Sequence, residues 1–121
     1  MPHLRIYGIP PEATQVELET LKAMLQIALA DMPALGIKKE NVFIFYPTDR
    51  MAKGLGEVVV CDAVLFDTPL RTRAVRREFA ETVTLVIQQF FPESIVKCMA
   101  FNFDRSMGYS TRDPINKEGG K

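Results

Sequence analysis

The chain has 121 residues, 47% of them hydrophobic, which is enough for one domain with a core of its own. Fifteen Lys and Arg balance fifteen Asp and Glu, so no overall field favours nucleic acid or an anionic membrane surface, and neither is expected as a partner. No run approaches the ~20 apolar residues of a membrane span, and no basic-then-apolar leader opens the sequence, so a cytoplasmic protein is expected.

Met1-Pro2 comes first. An initiator methionine ahead of proline is usually removed, and the mature chain would then begin with a secondary amine. Ordinary α-amino groups titrate near pH ~7.7 to 8, and burial lowers that value by disfavouring the charged form. Such a proline could take and return protons near neutral pH. The common alternative is a trimmed methionine with no chemistry behind it. His3 to Tyr7 alternates like a strand. After Gly8, Pro10 and Pro11, the run Thr14-Gln15-Val16-Glu17 fits a capping box, and Leu18, Leu21, Leu25, Ala28 and Met32 give the following helix an apolar stripe, stopped by Pro33 and Gly36. Asn41 to Tyr46 is rich in β-branched and aromatic residues and reads as a second strand ended by Pro47.

A polar, glycine-punctuated connection over 48–56 leads to a third strand from Glu57 to about Phe66. Asp67-Thr68-Pro69 predicts the start of a second helix, with Leu70, Ala74, Phe79, Val83, Ile87 and Phe90 on its apolar face and Pro92 at its end. Ile95 to Phe103 reads as the fourth strand. The polar stretch from Asp104 to Lys121 is an arm or a frayed tail. Cys61 and Cys98 sit in strand-like runs without a CxxC spacing, and His3 is the single histidine, so no metal site and no cofactor are expected.

The order is β-α-β followed by β-α-β, with pseudo-repeats over 1–49 and 57–103 in a single domain spanning 1–121. The expected architecture is α/β: a four-stranded sheet with each crossover joining parallel strands and both helices on one face. The other face, holding Phe43, Phe45, Val59, Ala63 and Leu65 or the opposite alternation set, is too apolar to stay wet, and oligomerisation would cover it.

Pro2 heading the first strand, the doubled unit and the length together resemble the tautomerase superfamily, whose larger members are trimers of such double units. Met1-Pro2-His3 looks like the start of 5-carboxymethyl-2-hydroxymuconate isomerase. Tyr46-Pro47-Thr48-Asp49-Arg50-Met51-Ala52 is similar to a turn of the macrophage migration inhibitory factor, and Met51-Ala52-Lys53-Gly54 to part of 4-oxalocrotonate tautomerase. Phe103-Asp104 with Gly108-Tyr109 resembles the C-terminal end of the inhibitory factor. A small bacterial branch whose chains begin Met-Pro-His is a further likeness.

The resemblance implies a homotrimer with a pocket near Pro2 at each subunit boundary, where Pro2 acts as the proton shuttle on a small enol or keto acid. It also implies a cation for the substrate carboxylate, with Arg71 the first candidate, by likeness to an arginine at the corresponding helix start. Independently, Arg71, Arg73, Arg76 and Arg77 crowd the positive end of a helix dipole, where an anion would be welcome. The alternative for the last three is a solvated face paired with Glu78 and Glu81. Lys38 and Arg50 are further candidates for the anion, each with an ordinary surface role as its alternative. Arg5 should emerge opposite Leu4 and Ile6, to line the trimer interior or to pair with Asp62. Phe45, Met99 and Phe101 form the expected apolar pocket wall.

Two arginines of 4-oxalocrotonate tautomerase have no counterpart here, which disfavours a dicarboxylate of that type. Two competing functions remain: a non-catalytic trimeric binding protein that keeps the fold, and proline-based dehalogenation or decarboxylation using Glu57 or Asp62 to activate water.

Overall fold

The computed structural model describes residues 2–47 and 55–104. Its elements are β1 (His3–Tyr7), α1 (Gln15–Ala30), a 3-10 turn (Lys39–Asn41), β2 (Phe43–Phe45), β3 (Val58–Phe66), α2 (Arg73–Phe90) and β4 (Ile95–Phe103). The sheet order is β2-β1-β3-β4. Each crossover helix joins parallel neighbours, β1 with β2 and β3 with β4, and the two units meet through the antiparallel pair of β1 and β3.

Thr14 caps α1 as expected: its hydroxyl accepts from the Glu17 amide at 3.1 Å, and Glu17 Oε1 accepts in return from the Thr14 amide at 3.1 Å. The buried stripe is Leu21, Leu25 and Leu29, continued by Met32 beyond the helix. Leu29 therefore takes the core position expected for Ala28. The second strand is shorter than the expected Asn41 to Tyr46. Asn41 and Val42 turn their amides back to the Lys38 and Lys39 carbonyls, which leaves three residues to pair.

The second helix also starts later than expected. Pro69 and Leu70 form a turn in which the Arg71 amide reaches the Thr68 carbonyl at 3.0 Å, and Thr72 is the cap, accepting from the Val75 amide. Leu70 and Ala74 are consequently exposed, and Phe79, Val83 and Ile87 carry the core face.

Both helices lie on one face of the sheet and seal a core with Leu4, Ile6, Val59, Cys61, Ala63 and Leu65. Each paired strand places alternate residues on the open face. These are His3, Arg5 and Tyr7 of β1, Phe43 and Phe45 of β2, Val60, Asp62 and Val64 of β3, and Lys97, Met99 and Phe101 of β4. The open set on β3 is thus the alternation opposite to Val59, Ala63 and Leu65. At the end of β1, Gly8 has a φ of +79°, and a Cβ there would run into the Val58 carbonyl, so glycine is required for the close approach of β3.

Candidate active site

β1 and β2 begin at the sheet end where β3 and β4 finish, as the pairs His3 with Phe43, His3 with Val64 and Phe66 with Phe103 show. Pro2 stands at this end. Its side chain is fully buried on the helix side, in alternation with Leu4 and Ile6, and its carbonyl accepts from the Phe43 amide at 3.0 Å. The position of the prolyl ring is therefore fixed by packing on one side and by β2 on the other.

Two loops close over the same end. One connects α1 to β2 and carries Lys38, which is exposed, while its carbonyl starts the 3-10 turn by accepting from the Asn41 amide. The other connects β3 to α2 and carries Arg71. Arg71 is buried, and its guanidinium donates to the Phe66 carbonyl at 2.9 Å and to the Leu35 carbonyl at 3.2 Å. It thereby ties the Lys38 loop to the end of β3. That differs from a cation held out for an anion, since a buried guanidinium satisfies desolvation through the carbonyls around it.

The neighbouring arginines divide. Arg76 Nη1 donates to the Arg71 carbonyl at 3.0 Å, whereas Arg77 and Glu81 form an exposed pair at 3.3 Å, the solvated-face alternative. Arg50 lies outside the described residues, as does the chain beyond Asp104.

Phe45, Met99 and Phe101 project from the open face, opposite to the Pro2 ring, so a single chain does not bring them against it. A cross-strand row runs Phe45, Arg5, Asp62, Met99, and the next runs Phe43, His3, Val64, Phe101. Arg5 thus faces Asp62 across the antiparallel pair, and it also lines a cavity of about 410 Å³ with Phe45, Tyr46 and Pro47. Alternation alone placed Arg5 on this face; putting it beside Phe45 needed the parallel register of β1 and β2.

His3 packs edge-on against Phe43 and Phe45, with ring centroids 5.5 and 6.3 Å away. Burial first, then the positive terminus of the chain that still carries Met1, and then Arg5 hold its imidazole below the ordinary value. On the helix side, Tyr46 Oη donates to the Leu18 carbonyl at 2.7 Å, and burial raises its phenol above the usual range. Among the described residues no group of three or more His, Cys, Asp or Glu is placed to hold a metal ion, and no helix is long and apolar enough to cross a membrane.

No family model and no curated protein matches this sequence. Solved structures do. N1, a member of the cis-3-chloroacrylic acid dehalogenase family, is 13% identical with a TM-score of 0.71 over 92% of this chain and 81% of that one. The macrophage migration inhibitory factor of Toxoplasma gondii is 14% identical, with a TM-score of 0.64 over 92% and 97%. F6, a fused wild-type 4-OT solved as an asymmetric trimer, is 17% identical, with a TM-score of 0.67 over 91% and 92%. Likeness at these identities is a likeness of fold, and the fold of this chain is that of the tautomerases.

Proposed function

We propose that this chain, once Met1 is removed, is a Pro2-dependent tautomerase or isomerase of a small enol or keto acid. The observation that carries the reading is the place of Pro2, buried at the head of β1 and held by β2, at the sheet end where the loops of Lys38 and Arg71 meet. Apolar burial disfavours the charged amine, so the nitrogen is available as a base at neutral pH. The neutral amine takes the enol hydroxyl proton, and the resulting prolinium returns it to the carbon end of the enolate. Lys38, with Arg50, holds the substrate carboxylate and the developing charge. Arg71 braces the loop that presents Lys38.

The assembly in this reading is a cytoplasmic homotrimer, supported by the trimeric fused 4-OT structures and by the apolar open face. A boundary between copies would let Phe45 of one and Met99 and Phe101 of another dry the pocket. The use of Arg71 within the fold favours a second reading, a non-catalytic trimeric binding protein. Untagged protein separates the two. An intact mass lacking Met1, with ketonisation of an enol pyruvate-type acid that falls at least about a hundredfold in Pro2→Ala, supports the enzyme. A retained Met1, or equal rates, supports the binding protein.

A further inference from the structure

Cys61 and Cys98 are far apart in sequence and side by side in the sheet. They are register partners on the parallel strands β3 and β4, and both point to the helix side. Neighbouring strands lie ~4.8 Å apart, inside the Cα separation that a disulfide spans. The two thiols differ in access. Cys61 is wholly buried in the core, whereas Cys98, on an edge strand, is only partly covered. Cys98 lines a groove of about 470 Å³ between β4 and α2, together with Arg77, Ala80, Glu81, Thr84 and Leu85. The Cys98 thiol, and then burial, push the Cys61 thiol above its usual range, as expected for two sulfurs within reach of one another.

We infer that Cys61 and Cys98 form a redox site, in which a hydroperoxide entering the groove converts the pair to a cross-strand disulfide. The Cys98 thiol gives up its proton and, as thiolate, attacks the terminal oxygen of the hydroperoxide; the O–O bond breaks, that oxygen stays on sulfur as the sulfenic acid, and the other oxygen takes up the proton and leaves as water or an alcohol. The Cys61 sulfur then displaces the sulfenic oxygen, which departs as water with the proton that Cys61 gives up. Two thiols are oxidised and one peroxide is reduced. The groove opens on the helix side, away from the open sheet face, so the inference does not depend on the role of Pro2 or on the trimer.

The experiment is hydrogen peroxide treatment of the full chain, followed by unfolding, thiol alkylation and intact and peptide mass spectrometry. The expected product is a monomer chain lighter by two hydrogens, with both cysteines protected from alkylation and recovered by a dithiol reductant. In Cys61→Ala the resolving thiol is gone, and Cys98 is expected to proceed to the sulfinic acid. Wild-type protein that accumulates sulfinic acid at Cys98 while Cys61 still alkylates would overturn the inference, as would a disulfide between two chains. The wild-type result decides even if the variant fails to fold.

Discussion

On the helix side of the sheet Leu4, Ile6, Val59, Ala63 and Leu65 are completely buried, whereas on the open side Phe45, Met99 and Phe101 keep 48%, 48% and 50% of their surface exposed. The same strands make both faces, one residue out of step. The helix side is finished within one chain. The open side sets large apolar groups beside His3, Arg5, Asp62 and Lys97, and no element of the described chain covers it. Pro2 belongs to the finished side, and its expected pocket wall belongs to the unfinished one.

The largest effect should separate the two faces. Phe79→Ala removes a fully buried ring and should cost about 3 to 5 kcal/mol of unfolding free energy. Phe101→Asp should leave far-UV circular dichroism unchanged and, in the proposed trimer, shift the assembly to monomer in light scattering, because it would place an unpaired carboxylate where copies meet. A trimer that survives Phe101→Asp would show that the open face is not the contact.

Arg71 comes next. Arg71→Met should lose about 1 to 3 kcal/mol by denaturant unfolding, since the Leu35 and Phe66 carbonyls lose a buried donor. Arg71→Lys separates bracing from substrate binding. A raised KM with unchanged stability would assign Arg71 to the substrate, whereas lost stability with a kept KM fits the brace.

The smallest effect concerns His3. Its pKa is lowered in the fold, so between that value and the ordinary 6.5 the unfolded chain binds more protons than the folded one. Stability should therefore be complete above pH ~6.5 and decline as the pH falls below it. His3→Gln should flatten that decline in thermal melts taken from pH ~7.5 to ~5. An unchanged profile would mean that His3 titrates alike in both states.

Much of the fold was legible because its signals are local. The Thr14 capping box, the alternation of His3 to Tyr7 and the apolar run of Ile95 to Phe103 each declare themselves within a few residues. The start of α2 was displaced because Thr68-Pro69 and Thr72 are both acceptable helix beginnings, and only the turn at Arg71 chooses between them. The site was less legible. Pairing across strands fixes which residues share a face and a row, and this decides the neighbours of Arg5 and the meeting of Cys61 with Cys98. Arg71 shows the same limit, since its sequence position near a helix start fits an anion binder, while in the fold its guanidinium donates to the Phe66 and Leu35 carbonyls.

In the proposed enzyme, burial on the helix side makes Pro2 a neutral base, and an NMR titration of the prolyl nitrogen in ¹⁵N-proline-labelled protein whose mass confirms loss of Met1 tests this. The expected midpoint lies below the ~7.7 to 8 of an ordinary α-amino group and matches the acidic limb of the ketonisation rate, where the rate falls as the base is protonated. A midpoint at or above that range, or a nitrogen still acylated by Met1, would contradict it.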